Sequence, residues 1–519
     1  MIAGMDAPPP DPGTPLPSDV AALQAMVREL LADNARLRAE VADLRGKLDA
    51  ALKHRFGRRS ERGRTSRRPP EPDADPDPAP AAGGHGRGPL PDHLPRRTVE
   101  HDLTAAEKAC PCCGRERACI GTQAAEQLDY DPAAYFVLRT VRRVYACRRC
   151  DPSAVPAEQR LTTAGPPQVG PVPKGLCGPG LLAFVATAKF ADHLPLHRLA
   201  GMIGRSGVAV APSTLGGWVA AAADLLAPLR GLMRRRVLSS RGVHTDDTPV
   251  SFREPGRDRT RRGHLWVYLG DAAHPCAVFD FTPGYSRDGP STFLAGYAGY
   301  VQADALKQYA DVYAAGAAHV CCWAHARRKF VAAADAGEKR ADEPLGLIRR
   351  LYHVERSLPG LGSSPDAEAV RAARRQAEAV PVLAELRGCL VRHRPGVLPR
   401  SPLGQAITYA VTNWDALHRY TAAGFLTIDN NRSERVLRQV AVGRNNWGVA
   451  GSAAGGRTAA MLYSVVATCR QFGLDPFAYL RAALPALFEL GDQASDADLA
   501  PWLPDVWCTR SAPAAALAG

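Results

Sequence analysis

The sequence lacks the features of exported and membrane-bound proteins. Residues 1–20, MIAGMDAPPPDPGTPLPSDV, have neither the charged start nor the apolar run of a signal peptide. The longest uncharged stretch, Ser206 to Ala223, is interrupted by Pro212 and by small polar residues, which argues against a membrane span. Thirteen cysteines, an odd number in a long chain without a secretion signal, favour reduced thiols and metal ligands over a disulfide framework. We therefore expect a cytoplasmic protein with no membrane contact.

Acidic residues are fewer than basic residues in this chain of 519 residues. There are 52 acidic against 65 basic residues, which gives a net charge of +13 and an isoelectric point near 9.3. Arginine supplies most of the positive charge, and its planar guanidinium suits phosphate groups. A GC-rich genome would also raise the arginine content, although it would not cluster the arginines. The composition favours a polyanionic partner, and the length and the 46% apolar content predict two to four domains.

The N-terminal part has a heptad pattern that predicts a leucine zipper at residues 18–56, after a disordered start at 1–17. Positions a hold Val20, Val27, Asn34, Val41 and Leu48, and positions d hold Leu23, Leu30, Leu37, Leu44 and Ala51. β-Branched residues at a and leucine at d favour a parallel pair of helices, so we expect a homo-oligomer. The alternative is one amphipathic helix packed on its own domain. Residues 57–98 are basic and then rich in proline and glycine, which predicts a linker.

Two CxxC pairs stand in residues 99–152, separated by 33 residues between Cys113 and Cys147. Paired thiolates on either side of a β-hairpin sequence, EQLDYDPAAYFVLRTVRRVYAC, are typical of a structural zinc site. The predicted zinc ligands are Cys110, Cys113, Cys147 and Cys150. Cys112 and Cys119 do not fit the spacing and are expected to be additional thiols. Zinc would then stabilise a domain that is too small to have a large core.

A helix, a short turn and a second helix are predicted within residues 170–235. The turn falls at Ser206 and Gly207, and Pro212 suits the first turn of the second helix. This is the outline of a DNA-reading helix-turn-helix. Two packed helices without a DNA-binding role have the same outline, so both interpretations stay open.

Four short β-rich runs stand in the middle of the chain, namely GVHTDDTPV, HLWVYLG, CAVFDF and GYVQAD. Strands followed by helices predict an α/β sheet domain at residues 240–470. Asp246 lies in the first run, Asp304 ends the fourth, and Glu434 follows IDNN, residues that begin helices well. Singly, they are explained as a surface acid, a turn residue and the partner of Arg438 in a helical ion pair. Together they predict a site for two Mg²⁺ or Mn²⁺ ions, which need oxygen ligands and act on phosphodiesters.

Between the second and third acids, residues 333–400 are rich in alanine, arginine, leucine and glutamate and predict a helical insertion. The stretch CWAHARRKF precedes it. Candidate phosphate contacts are Arg327, Arg328 and Lys329 in that stretch and Arg435, Arg438 and Arg444 around the third acid. A solvated helix face is the alternative for the first three. His325 is interpreted as structural rather than catalytic, and Cys321 and Cys322 as buried thiols rather than ligands.

These motifs, taken in order, resemble the insertion sequence 66 family of DDE transposases. The matching stretches are FGRRSER, HGRGPLPDHLPR, CPCCG…CRRC, DHLPLHRL, HTDDTPV, GYVQAD, CWAHARRKF and IDNNRSERVLRQVAVGRNNWGVAGS…GLDPFAYL. The resemblance implies an RNase H-like core with an acid triad at Asp246, Asp304 and Glu434, and a small C-terminal helical domain at residues 471–508. It also implies binding of the element's DNA ends and target DNA in a nucleoid-associated bacterial protein, metal-dependent cleavage and strand transfer, and small accessory proteins.

The chain departs from the family's pattern at three places. The family usually has glutamate where Asp247 stands, so the choice of Asp246 depends on its position in the motif. The residues after Asp304, ALKQY, replace the family's frequent Gly-Tyr, and Asn445 replaces a lysine. The alternative function is that of a DNA-binding repressor, or of a decayed, inactive copy that keeps the zipper and the zinc-binding domain.

Overall fold

The structure is a computed structural model, and it describes residues 19–56, 90, 92, 94–131, 134–146, 161–165, 170, 172, 175–361 and 363–511. The predicted disordered start at 1–17, most of the linker at 57–98 and the zinc ligands Cys147 and Cys150 lie outside the described residues. Among the helices in this described part, none combines the length and the apolar character that a membrane crossing requires.

The first helix, α1, runs from Val20 to Phe56 and contains the heptad pattern. The side chain of Asp19 accepts hydrogen bonds from the backbone N–H groups of Ala21 and Ala22 at 3.3 and 3.1 Å, which satisfies donors at the helix start. Apolar heptad side chains of α1 are 46–67% exposed, namely Val20, Val27, Leu30, Leu37 and Val41. The helix is as predicted, while its pairing with a second copy stays a prediction.

A four-stranded sheet follows α1. Its elements are β1 (Arg96–His101), a short helix α2 (Ala105–Lys108), β2 (Ala118–Asp131), β3 (Ala134–Ala146) and β4 (Leu161–Thr163). β2 and β3 form the antiparallel hairpin that the sequence predicted, and β1 and β4 both pair with β3. The hairpin begins earlier than expected, at Ala118, because β3 pairs along its whole described length.

Four helices come next: α3 (Pro179–Phe190), α4 (Leu196–Gly204), α5 (Pro212–Leu225) and α6 (Ala227–Leu238). α4 and α5 are the predicted helix-turn-helix pair, with Gly207 in the connection at a φ of +83° and Pro212 at the first position of α5. Leu215, Trp218 and Val219 on one face of α5 are buried. Helix α3 is buried along most of its length because nearly all its side chains are apolar or small.

The central sheet has five strands in the order β7-β6-β5-β8-β9. They are β5 (Gly242–Phe252), β6 (Arg261–Leu269), β7 (Ala277–Thr282), β8 (Tyr300–Ala303) and β9 (Ala318–Cys321). β5, β6 and β7 pair antiparallel, whereas β8 and β9 join β5 in parallel. The first four are the predicted strands. Helix α7 (Asp288–Phe293) includes Gly289 and Pro290, because proline is tolerated in the first turn of a helix.

Further α-helices follow in the described residues. They are α8 (Ala310–Ala314), α9 (Trp323–Asp335), α10 (Asp342–Arg356), α11 (Ala367–Arg374), α12 (Val380–His393), α13 (Pro402–Thr412), α14 (Trp414–His418), α15 (Asn431–Trp447), α16 (Ala453–Gln471), α17 (Pro476–Leu490), α18 (Asp496–Leu499) and α19 (Pro504–Ser511). A π-helical turn, Arg375–Ala379, joins α11 to α12. The predicted C-terminal segment thus contains α17, α18 and α19.

The described residues form two compact units. The helical unit contains α1 together with residues Trp323–Leu358 and Ala373–Trp414. The sheet unit contains the described residues of 80–322, 359–372 and 415–519. Most of the predicted insertion at 333–400 falls in the helical unit, and residues 359–372 belong to the sheet unit.

Helix α16 protects the edge strand of the central sheet. The backbone N–H groups of Ala277 and Phe279 on β7 donate to the hydroxyls of Thr468 and Ser464 at 3.1 and 2.8 Å. Those donors would otherwise be unpaired, because β7 has a neighbouring strand on one side alone. A Cβ at Gly456 would lie 2.6 Å from the ring of Phe281, so the start of α16 can approach β7 only without a side chain there.

Candidate active site

Asp246 and Asp304 lie at neighbouring positions on adjacent strands of the central sheet. β5 and β8 are parallel, with His244 opposite Gln302. The same register, continued by two residues, brings Asp246 level with Asp304, which directly follows β8. Neighbouring strands lie about 4.8 Å apart, and residues at one level point to the same face of a sheet. The strand pairing therefore brings two carboxylates together.

Helix α15 brings in the third acid, since Glu434 stands in its first turn as predicted. The side-chain amide of Asn430, which precedes the helix, donates to the carbonyl oxygen of Thr245 at 2.7 Å. The amide oxygen of Asn430 lies 3.2 Å from Nδ1 of His244. Asn430 thus ties the helix to β5 instead of capping it, and it places the first turn of α15 beside Asp246.

The electrostatics of Asp246 show the proximity of the other acids. Partial burial raises the pKa of Asp246 to about 7, and the charges of Asp304, Asp247 and Glu434 act in the same direction. A hydrogen bond from the backbone N–H of Asp247 to Oδ1 of Asp246, 2.8 Å long, opposes the rise. Like charges in one place are unfavourable, so this cluster favours a bound cation or a proton.

The neighbouring acid, Asp247, is held by protein groups. Its Oδ2 lies 2.5 Å from Nδ1 of His264, and both side chains are less than 10% exposed, at 7% and 8%. The hydroxyl of Tyr285 lies 3.4 Å from Oδ1 of Asp247, and the ring of Tyr285 stacks on His264 with 4.1 Å between centroids. Asp247 therefore belongs to a hydrogen-bonded group, which supports assigning the first acid of the site to Asp246.

Several neighbours of the acids were not predicted, namely His264, Tyr285 and His319. His319 lies against the backbone of Asp304 and stacks on Tyr313 with 4.3 Å between ring centroids. Burial lowers the pKa of His319 to about 4, so this imidazole is neutral at pH 7. Of these three residues, His264 alone had a signal in the sequence. It begins the otherwise apolar strand sequence HLWVYL, and a buried polar group on a strand needs a partner.

Comparison with known families decides what kind of protein carries these acids. The family model described as "Transposase IS66 family" matches residues 174–458, which is more than half of the chain and includes all three acids. The chain belongs to the IS66 transposase family. Two further models match: "zinc-finger binding domain of transposase IS66" at residues 107–151 and "Transposase C of IS166 homeodomain" at residues 43–99.

Curated relatives of this IS66 transposase come from Sinorhizobium fredii (strain NBRC 101917 / NGR234). "Uncharacterized protein y4hP" is 31% identical over 77% of this chain and 73% of its own length. "Uncharacterized protein y4jD" is 31% identical over 76% of this chain and 78% of its own, and "Uncharacterized protein y4qI" is 29% identical over 95% and 98%. The relatives support the kinship of the whole chain, while their names assign no activity.

The zinc-finger match supports structural zinc in residues 107–151 of this family member. Cys110 begins a tight turn. Its backbone N–H donates to the carbonyl oxygen of Arg115, and its own carbonyl oxygen accepts from the backbone N–H of Gly114, both at 2.8 Å. Gly114 has a φ of +69°, which glycine adopts without strain. Cys110 is buried and Cys113 is exposed in this turn. The participation of Cys147 and Cys150, outside the described residues, stays a prediction.

The predicted phosphate contacts of the transposase occupy different environments. On α15, Arg435 and Arg438 are exposed. Arg444, on the same helix, donates to the hydroxyl of Thr248 and the carbonyl oxygen of Pro249, each at 2.6 Å, so it helps to hold α15 against β5.

The other predicted contacts lie on α9 in the helical unit. Arg327 and Arg328 are exposed, and the ammonium group of Lys329 lies 4.9 Å from the centroid of the Tyr409 ring. Cys321 and Cys322, just before this helix, are buried, in agreement with the sequence interpretation.

Proposed function

We propose that this IS66 transposase cuts the ends of its element and joins them to target DNA at a site formed by Asp246, Asp304 and Glu434. The observation that carries the proposal is the convergence of the three acids, which come from β5, the end of β8 and the first turn of α15. Each acid alone has an ordinary structural explanation. Their meeting in a family of transposases favours phosphodiester chemistry.

The donor set fits divalent metal ions. Asp246 lies among carboxylates whose charges raise its pKa, so the site has an excess of negative charge that a cation would neutralise. The oxygen atoms of these carboxylates suit Mg²⁺ or Mn²⁺, and two ions would be held by Asp246, Asp304 and Glu434. When bound, such ions make an attacking oxygen more nucleophilic and stabilise the leaving oxygen of an in-line displacement.

The chain's own residues would set the geometry of this site. Asn430 fixes the position of Glu434 relative to β5, and Arg444 holds the same helix further along. His264 and Tyr285 hold Asp247, so this fourth carboxylate is kept in a hydrogen-bonded group beside Asp246. A rigid arrangement of this kind is needed because displacement requires an aligned attacking oxygen and phosphate.

The finer fold assignment is also part of the proposal. A mixed five-stranded sheet with acids on two adjacent strands and on a helix packed against them supports an RNase H-like core. The exposed Arg435 and Arg438 on that helix would contact DNA phosphates, as would Arg327, Arg328 and Lys329 on α9.

Pairing of two chains is the third part of the proposal. The exposed apolar stripe of α1 supports a zipper between two copies, which suits a reaction that brings two DNA ends together. The α4–α5 pair and the zinc domain would recognise those ends, and small accessory proteins of the element would complete the assembly.

A strand-transfer assay tests the acid site. Wild-type protein and the variants Asp246→Asn, Asp304→Asn and Glu434→Gln would be incubated with DNA carrying the element's ends and Mg²⁺. We expect each variant to lose at least about a thousandfold in joining rate, because each would remove an oxygen ligand of ions that stabilise the transition state. End binding, measured by gel shift, should remain.

The matched control is Asp288→Asn, an exposed acid of the sheet unit that should join DNA at the wild-type rate. Joining by all three acid variants at the wild-type rate would refute the site. If the wild type binds ends but joins none, with and without accessory proteins, the alternative of a DNA-binding repressor is favoured.

A further inference from the structure

The helical unit contains a second group of potential metal ligands, unrelated to the acid triad. It consists of Glu343 in the first turn of α10 and of Cys389 and His393 in the last turns of α12. One ligand atom of each residue lies within 4.8 Å of the other two. Ligand atoms around one zinc ion lie closer, about 3.3–3.8 Å apart for bonds of 2.0–2.3 Å, so small rotations of these side chains would close the site.

The helix geometry explains why these residues meet. Cys389 and His393 are four residues apart on α12, so their side chains lie on the same face of the helix. α10 and α12 are antiparallel neighbours, because Arg350 of α10 pairs with Glu385 of α12 further along. The first turn of α10, with Glu343, therefore lies beside the last turn of α12.

Existing contacts already orient the three residues. Nε2 of His393 lies 2.8 Å from Oε2 of Glu343, and Arg392 donates to the other carboxylate oxygen at 2.5 Å. Cys389 is fully buried, whereas the side chain of Glu343 is 46% exposed. A cation at this place would bind the buried sulfur on one side and would have an open position toward solvent on the other.

The combination of ligands selects the metal. Thiolate, imidazole and carboxylate together suit Zn²⁺, whereas Mg²⁺ and Ca²⁺ prefer oxygen ligands alone. Arg392 would then be a neighbour that holds the ligating carboxylate, an arrangement common around zinc. Without a metal, the same residues form a surface ion pair around a buried thiol.

We infer that Glu343, Cys389 and His393 form a zinc site that joins the start of α10 to the end of α12. The site has three protein ligands and one position for water. It would stabilise the helical unit by adding metal–ligand bonds between these two helix ends. This inference does not depend on the proposed activity.

Metal content tests the site directly. Full-length protein loaded with ZnCl₂ and then dialysed should hold two zinc ions per chain, one of them in the zinc-finger segment. The variant Cys389→Ser/His393→Ala should lose one ion, and so should Cys110→Ser/Cys113→Ser. The control Cys469→Ser/His353→Ala, which replaces a buried cysteine and an exposed histidine elsewhere, should keep both.

A second variant covers the case in which loss of Cys389 disturbs packing. Glu343→Gln changes an exposed side chain and should weaken zinc binding in the Cys110→Ser/Cys113→Ser background by at least about tenfold. In the same background, Co²⁺ should produce thiolate charge-transfer absorption that Cys389→Ser abolishes. An unchanged zinc content in Cys389→Ser/His393→Ala, or no thiolate absorption with Co²⁺, would overturn the inference.

Discussion

The acidic residues of the helical unit and those of the candidate active site are held in opposite ways. In the helical unit, arginines pair with acids at the N–O distances of ion pairs: Glu355 with Arg375 at 2.7 Å and Glu385 with Arg350 at 2.5 Å. In the sheet unit, Asp246 lies among the carboxylates of Asp304, Asp247 and Glu434. Acids that pair with arginine have a counter-charge from the chain, whereas acids that raise the pKa of a neighbouring acid favour a bound cation. The comparison thus separates structural acids from those of the candidate active site.

The largest effect on stability is expected from the buried ion pair of the helical unit. The side chain of Arg375 is fully buried and that of Glu355 is 11% exposed. Glu355→Gln would leave a buried guanidinium without its counter-charge, so the free energy of unfolding should fall by about 3–5 kcal/mol. Urea titration followed by circular dichroism would measure this change. A loss below about 1 kcal/mol would show that these acids are not structural in the sense proposed.

At the candidate active site, in metal-free buffer, we expect the replacement of an acid to raise the free energy of unfolding. The folded-state pKa of Asp246 is about 7, above an unfolded value near 3.8. The folded protein therefore binds more protons between these values, and the stability that this acid contributes is lost as the pH rises through 7. Asparagine does not titrate, so Asp246→Asn avoids that loss. The full pKa shift of Asp246 corresponds to about 4 kcal/mol, and we expect the free energy of unfolding of Asp246→Asn to exceed that of the wild type by about 2 kcal/mol at pH 8, after local relaxation.

Melting curves at pH 4 and pH 8 with EDTA would check the sign. The gain should be present at pH 8 and absent at pH 4, where Asp246 is protonated in wild type as well. Mg²⁺ should raise the melting temperature of the wild type more than that of Asp246→Asn, because a ligand that binds the folded state stabilises it. A destabilised Asp246→Asn at pH 8 would contradict the comparison.

The smallest effect is expected from an exposed pair of the helical unit. Arg350 and Glu385 have side chains that are 53% and 52% exposed, so solvent screens their attraction. Replacing both in a double-mutant cycle should give a coupling energy of about 0–1 kcal/mol that declines with added salt. A coupling energy as large as that of the buried pair would mean that burial does not decide the strength of these contacts.

Much of the sheet unit could be predicted because its signals are local. The first four strands of the central sheet have alternating or apolar β-rich sequences, and Glu434 falls in the first turn of a helix as expected. β9 was missed because its four residues, AHVC, contain one β-branched residue and no tyrosine, phenylalanine or tryptophan, whereas β8, of the same length, contains both Tyr300 and Val301. Asn430 was expected to cap α15, but its amide bonds to β5, since a tertiary partner lies within reach.

The candidate zinc site of the helical unit was not predicted. Cys389 and His393 have helical spacing, yet four-residue spacing of a cysteine and a histidine is common by chance. Glu343 lies far away in the chain and offers no pattern of its own. The partners of Asp247 were missed for the same reason, because His264 and Tyr285 reach it through strand pairing and a loop.

The amino-acid order alone determined the family, the heptad helix, the CxxC spacing and the three acids to examine, because each depends on residue type and short-range periodicity. The tertiary structure decided that the charges of Asp304 and Glu434 act on Asp246, and that the neighbouring acid, Asp247, is held by a histidine. It also decided that an acid of one helix joins a cysteine and a histidine of another. Strand order and helix docking bring together residues that are far apart in the chain, and local patterns contain no measure of that proximity.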